Sequence, residues 1–597
     1  MKRILMIKVP TFEYHNSDKE ISISERVTFK WTLSLATACL SGFTKRYFRG
    51  EYTLNHFDMN SVTCGFSGTP YQVSCLVLEA TQSVIQDTDF DILAISNQFL
   101  FSEQYVDDVI KMAHDKNPDS IIITGGAFAT IFPEESIKKP HVNYSVYGEG
   151  EHTFVHILNK IYGIDDPEFS AQWAFDGFGQ KLENGEVDIT PRGAFLDNLE
   201  DLPLPLWDPD ILEKHTSNNP NASIPVMASR GCPMGCTFCS THLSWGAPVR
   251  YRPIDSVVNE IMDAYNTYGF KNVDLIDDNI SFNMKWFSDF CEQLSMVQPD
   301  DLKISFSNFD MRKIDENILL GLKKIRVEQV TIATESGHKE GQQEISKKLN
   351  LERVRRIVKL IHSEDFFIHN CFLIGLPNET IEQMHETVDF ARECRTESIQ
   401  IWPVFPYPGT KLYEQANSLG FVEMEADDYA SFGSYRKGGV IESTNWDPEE
   451  VIQIAYDANI ELNFLNNPCY ETERGRTYLK NKSDGVIKGV AGHVVALIVS
   501  GYIATTYNNN FEERESKYMQ ALSLLLEEDC IFSHYMHLDF PVINSFREWV
   551  STECSENFDL VFTEEHTPPK KSSKSPKFPQ NGKTIREEKT SRVTNFR

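Results

Sequence analysis

Apolar and polar positions change rhythm several times along this chain, and each rhythm predicts a different architecture. From Met1 to about Tyr162, short apolar runs (RILMIKV, FDILAIS, SIIITGG, VNYSVYG) alternate with stretches of helical period (WTLSLATACLSGF, VDDVIKMAHDKNP). Buried parallel strands read as near-continuous apolar runs and their crossovers as amphipathic helices, so residues 1–162 are expected to form a doubly wound, Rossmann-like α/β sheet. Over 163–221 the period is lost and Pro and Asp become common, as in EDLPLPLWDPD, which predicts a linker running over the surface. Alternation resumes with SIPVMAS, NVDLIDDN, LKISFSNF, VEQVTIATES, FFIHNCFLIGLP and SIQIWPVFPYPGT, separated by amphipathic stretches such as IDSVVNEIMDAYNTYGF. Strand–helix units of this kind over 222–429 predict a parallel (β/α) barrel, complete or partial, with its chemistry at the C-terminal ends of the strands. Residues 430–566 carry helical patterns and predict a mostly helical domain, and the Ser-, Pro- and Lys-rich tail 567–597 is expected to be disordered.

Composition narrows the choice of partner. The chain has 597 residues, more than one hydrophobic core organises, and 57 Lys and Arg against 87 Asp and Glu give a formal net charge of −30. Nucleic-acid and anionic-membrane binding need clustered cations, so neither is expected; a peptide or small-molecule substrate fits the sign better. The opening MKRILMIKVP reads as a strand, and GVAGHVVALIVSGYIATTY (489–507) as a buried helix in place of a membrane span. Nine of the twelve cysteines stand singly, which without a secretory signal predicts thiols in a reducing cytoplasm.

Doubly wound sheets bind ligands beyond the carboxyl ends of their strands. Here those ends carry Ser96-Asn97, Thr124-Gly125-Gly126 and Gly148-Glu149-Gly150. Together they predict a ligand face on which glycine lets a bulky group approach backbone, although each glycine alone also suits a tight turn.

The other three cysteines form a group. SRGCPMGCTFCS (229–240) places Cys232, Cys236 and Cys239 in one loop directly after the first barrel strand. With His242 they could make a Cys3His zinc site. Three thiolates could equally hold a four-iron cluster with one iron left open, and an open iron at a barrel mouth is a site for chemistry.

The CxxxCxxC loop made by these three cysteines resembles that of the radical S-adenosylmethionine (SAM) enzymes, and the likeness runs from about Ile224 to Tyr413. It implies that Cys232, Cys236 and Cys239 hold a [4Fe–4S] cluster whose open iron chelates SAM, with Phe238 beside it. LIDDN implies that Asp277 or Asp278 meets the cofactor; strand alternation lets only one of the two point inward, and helix capping, open also to Asn279 and Ser281, is the alternative use. IATESG and FLIGLPNET imply further SAM contacts at Glu335 and Gly375. SIIITGGAFATIFPEE and YGEGEHTF resemble the cobalamin-binding domain of the cobalamin-dependent branch, with Ser96, Asn97, Thr124, Gly125, Gly126, Gly148, Glu149 and Gly150 as implied cobalamin contacts. A flavodoxin-like structural lid is the alternative. The Asp-x-His-x-x-Gly loop that places an imidazole under cobalt is missing: His15 is isolated and His56 precedes Asp58, so no His ligand is expected. The resemblance implies a methyltransferase acting on a carbon of a peptide or natural product, with an electron donor such as flavodoxin or ferredoxin. A cyclase or rearrangement enzyme using the same cofactors, and a cobalamin or zinc sensor, are the rival readings. The catalytic residues proper are not legible.

Overall fold

The computed structural model describes residues 1–12, 14, 33–63, 70–191, 195–218, 222–422, 441–465 and 468–475. Most of the helical domain expected at 430–566, the apolar stretch 489–507, the tail and His15 lie outside the described residues.

The N-terminal sheet contains β1 (Lys2–Lys8), β2 (Tyr52–Asp58), β3 (Ile92–Asn97), β4 (Ile121–Gly126) and β5 (Val142–Val146), parallel and in the order β2-β1-β3-β4-β5. Successive residues of one strand feed opposite faces: Leu5, Ile7, Leu93 and Ile95 pack into one apolar cluster, Ile4, Met6, Ile92 and Ala94 into another. Burial on both sides is why these strands read as unbroken apolar runs. Strand order reverses between β1 and β3, which opens a crevice at their C-terminal ends.

Two further strands, β6 (Phe178–Lys181) and β7 (Val187–Ile189), extend this sheet antiparallel beyond β5. Residues 163–221 are therefore not only a surface linker. The Asn184-Gly185 turn folds part of that segment back as a hairpin, closed by Leu182 N–H donating to Glu186 O at 2.9 Å. The rest returns across the helix Leu35–Tyr47, where Leu206 N–H donates to Ala38 O at 2.9 Å.

In the second unit come β8 (Ser223–Val226), the short antiparallel pair β9 (Ser229–Arg230) and β10 (Arg250–Tyr251), then β11 (Asn272–Leu275), β12 (Lys303–Phe306), β13 (Gln329–Glu335), β14 (Phe367–Ile374) and β15 (Ser398–Pro403). β8, β11 and β12 form one parallel sheet and β13, β14 and β15 another, and a parallel bridge between Phe309 and Ile332 joins them. The result is a six-stranded partial barrel. Helices Ile254–Asn266, Met284–Val297, Glu316–Lys324, Leu351–Ser363 and Ile381–Cys394 connect its strands and share one core with them.

At the free edge of β15 two side-chain amides stand in for a seventh strand. Asn459 accepts from Ile401 N–H at 3.0 Å and donates to Ile401 O at 2.8 Å, and Asn463 makes the same pair with Ile399 at 2.9 and 2.8 Å. Both amides are buried, so the edge is satisfied without being open to pairing. Among the described residues no helix is long and apolar enough to cross a membrane.

Asn459→Ala strands a buried N–H and C=O on β15. It is expected to cost about 1–3 kcal/mol, read as a lower urea midpoint and faster proteolysis near the C-terminal end of the barrel.

Candidate active site

Local backbone shapes the thiol loop. Gly231 sits at φ +94°, and a Cβ there would lie 2.2 Å from the carbonyl oxygen of Pro248, so the chain can turn into the loop only as glycine. Cys232 N–H then donates to Gly246 O (3.3 Å), Thr237 N–H to Ile345 O (3.0 Å), and Leu412 N–H to Thr237 O (2.9 Å), which pins the loop to the barrel on both sides. Cys232, Cys236 and Cys239 are half-buried thiols in no disulfide. Burial raises Cys232 and pushes Cys236 up to about 11, Lys347 opposing the latter, so metal binding at these two must displace their protons. Among the described residues no group of three His, Cys, Asp or Glu side chains is gathered to hold a single metal ion, so the Cys3His set with His242 is not assembled.

At the end of β11 the two aspartates separate. Asp277 turns back to β9, accepting from Ser229 N–H, from Ser229 Oγ at 2.6 Å and from Ala228 N–H at 3.3 Å; burial pushes it up to about 6. Asp278 accepts from Thr241 Oγ1 at 3.0 Å, and Thr241 in turn accepts from Cys239 Sγ at 3.2 Å. Asp278 is thus the one joined to the thiol loop, and burial raises it too. Asn279 goes with it: Nδ2 lies 3.7 Å from Cys232 Sγ, while the buried Oδ1 has no hydrogen-bond partner among the described residues. The following helix is capped by Asn283, which accepts from Trp286 N–H at 3.1 Å, so neither Asn279 nor Ser281 performs that capping.

Glu335 ends β13 on a bulge at φ +69° and pairs with Lys347 at 3.0 Å. Gly375, at φ +82°, donates to Glu379 at 2.6 Å, and a Cβ there would meet Val451 at 2.8 Å; a C-terminal helix occupies that side. Phe238 packs, half-buried, against the barrel core.

A cavity of about 360 Å³ lies at the β1/β3 crevice, lined by Ser96, Gly125, Gly148 and Gly150 from the sheet and by Arg230, Ser244 and Trp245, which flank the thiol loop in sequence, from the barrel. Helix Ala127–Ile131, after β4, lies against helix Thr241–Ser244, after the thiols. Leu199, Leu202, Pro203 and Pro205 from the returning segment wall the cavity. Gly125 leaves ordinary van der Waals space for a Cβ, and at Gly148 a Cβ would meet nothing within 4 Å. Gly126 differs: at φ +109° its Cβ would stand 1.9 Å from Asn97 O, so close packing of β3 against β4 requires this glycine. Asn97 and Thr124 also line the cavity, but their side chains are engaged elsewhere, Asn97 Nδ2 donating to Glu103 at 2.5 Å and Thr124 Oγ1 bonding Ser136 at 3.2 Å.

Glu149 belongs to a buried ionic lock between the two units. Its carboxylate takes Arg250 at 2.8 Å, Arg230 at 3.4 Å and Leu196 N–H at 2.6 Å. Arg230 also donates to Glu151 at 2.6 Å and lies 4.7 Å from the ring centre of Trp245. Burial would raise Glu151, but Arg230 pulls it below the ordinary carboxylate range. Arg230 and Trp245 were not singled out from sequence, and Asn279 was considered only as a helix cap. Arginine and tryptophan at surface-like spacing carry no signal until the fold brings them together.

Residues 62–158 match the B12 binding domain family and residues 226–391 the radical SAM superfamily. The chain is 27% identical over 432 residues to cytidylyl-2-hydroxyethylphosphonate methyltransferase of Streptomyces wedmorensis, covering 66% of this chain and 78% of that protein. It is 27% identical over 313 residues to anaerobic magnesium-protoporphyrin IX monomethyl ester cyclase of Rubrivivax gelatinosus, spanning 51% of this chain and about half (55%) of that one. In fold it superposes on the radical SAM methyltransferase TsrM of Kitasatospora setae with cobalamin and [4Fe–4S] cluster bound (TM-score 0.54, 13% identity, 87% of this chain and 99% of that one). The chain thus carries a B12-binding domain followed by a radical SAM domain. It is homologous to the cobalamin-dependent radical SAM methyltransferases, and its cofactors are a [4Fe–4S] cluster, SAM and cobalamin.

Removing Arg230 leaves the buried Glu151 without its arginine, while Glu149 keeps Arg250. Arg230→Gln is expected to lose about 3–5 kcal/mol of stability at neutral pH in urea unfolding. Glu151, held low in the native chain, loses its contribution as pH falls, whereas in the variant burial alone favours its protonated form. The deficit should therefore shrink below about pH 5.

Proposed function

We propose that this chain methylates a carbon of a peptide or small natural-product substrate in the cleft between its two units. One arrangement supports this above all: the cavity edged by the glycine strand ends is walled on its barrel side by Arg230, Ser244 and Trp245, which flank the three-thiol loop in sequence, and Arg230 ties the entry of that loop to Glu149 and Glu151. When bound, the cluster and SAM supply a radical that removes hydrogen from the substrate, and cobalamin supplies the methyl group.

In this reading Cys232, Cys236 and Cys239 ligate the cluster, soft thiolates being its natural donors. Asp278 and the unmet acceptor of Asn279 receive donors from SAM. Glu335, on its strained bulge, makes a further polar contact, with Phe238 and Gly375 bounding the site; Asp277 holds β9 and so the start of the loop. On the cobalamin side Ser96, Gly125, Gly148 and Gly150 present backbone and hydroxyl to the corrin. Asn97, Thr124, Gly126 and Glu149 build the wall behind them. The seal formed by 199–205 keeps water from a reactive carbon centre. A one-electron donor such as flavodoxin or ferredoxin completes the system, and a reducing cytoplasm suits thiols that form no disulfide among the described residues. The likeness to a cyclase supports a second reading, ring formation on the same cofactors without methyl transfer.

Product mass separates the two: a gain of one methylene unit supports methyl transfer, and an unchanged or dehydrogenated skeleton favours the cyclase. Cys236→Ala is expected to abolish 5′-deoxyadenosine formation while cobalamin is still retained. Gly125→Val should do the reverse, lowering corrin retention in gel filtration and leaving the cluster's visible absorption intact.

A further inference from the structure

The chain is strongly acidic, yet the segment covering the outer side of the thiol loop is basic. Between Ile345 and Arg356 stand five basic residues and one acidic residue. That segment is fastened to the loop, since Thr237 donates from its N–H to Ile345 O and from Oγ1 to Glu344 O, both at 3.0 Å. From the other side Arg312 reaches across: it donates to the sulfur of Met234 inside the loop and to Lys347 O at 3.4 Å, and its own carbonyl accepts from Arg353 at 2.7 Å. Arg312, Lys347, Lys348 and Arg353 therefore form one rim beside Pro233 and Gly235, the exposed positions of the loop. Arg356, three residues beyond Arg353 on the same helix, prolongs it.

Part of this charge is used internally. Arg312 pairs with Asp310, Lys347 with Glu335, and the acidic Glu352 is taken by Arg355. Lys348, Arg353 and Arg356 are exposed, and none of them forms an ion pair among the described residues. None of the rim residues lines the interdomain cavity, so a partner here does not compete with substrate.

We propose that this rim is the docking surface for an acidic one-electron carrier protein of the flavodoxin or ferredoxin type. The inference rests on the cluster reading of the three thiols. The carrier is oxidised by one electron, the cluster behind Pro233 and Gly235 is reduced by one, and no atom or proton changes hands. Complementary charge supplies orientation and association rate more than affinity, which suits a carrier that must leave after each transfer.

The test uses the reconstituted holoenzyme and compares the wild type, the triple variant Lys348→Glu, Arg353→Glu, Arg356→Glu, and a control, Lys45→Glu, on the exposed surface of the other unit. Formation of 5′-deoxyadenosine is driven either by reduced flavodoxin or by dithionite. At low ionic strength the flavodoxin-driven rate of the triple variant should fall about tenfold or more, while its dithionite-driven rate and both rates of the control stay at wild-type level. Added salt should slow the wild type with flavodoxin and leave the triple variant nearly unchanged. Equal flavodoxin-driven rates in wild type and triple variant overturn the proposal, as does a fall that dithionite shares. Failure of the wild type with dithionite strikes instead at the cluster reading.

Discussion

Arg230 holds this molecule's function in register. It leads into the thiol loop, and its guanidinium is buried between Glu149 of the glycine turn and Glu151, the first residue of the helix that follows. A buried cation held between two carboxylates is costly to misplace, because any shift leaves charge without compensation in a low-dielectric setting. The pairing thus ties the glycine turn of the first unit to the start of the thiol loop of the second. Trp245 lies against the guanidinium, and Arg250 adds a second cation to Glu149.

Around this lock, loops and segments that look unrelated in sequence do related tasks. Asp277 fixes β9 by its backbone, β9 delivers Arg230, and Gly231 then turns the chain sharply enough to present the thiols. Asp278, Thr241 and Cys239 form a short hydrogen-bonded chain from the second barrel strand to the loop. One pair of adjacent aspartates therefore serves opposite ends of the same device.

Much of the fold was legible because it rests on local periodicity. Each of the six apolar runs assigned to the barrel became a strand, and the N-terminal runs became the parallel sheet. The hairpin of β6 and β7 was missed because its strands have four and three residues, too short for alternation to register, although Asn184-Gly185 carried the turn signal. The thiol loop was legible because its three cysteines lie in one short stretch of sequence. The lock was not: Arg230 and Glu151 are 79 positions apart, and only tertiary structure brings them together. Glu149 attracted notice for standing between glycines in a ligand turn, yet its carboxylate faces arginines, and Gly126 answers to its neighbour strand. Sequence marks where special backbone is needed but not which neighbour demands it.

The amide clip along β15 has a bearing on where this chain can be cut. Asn459 and Asn463 lie well past the last strand, in a stretch that a domain map drawn from strand endings would discard. A fragment trimmed there would bare a row of unmet peptide groups on an apolar seam and offer itself as a template to other copies. The helix that bears these asparagines is accordingly part of the barrel's solubility, not an appendage to it.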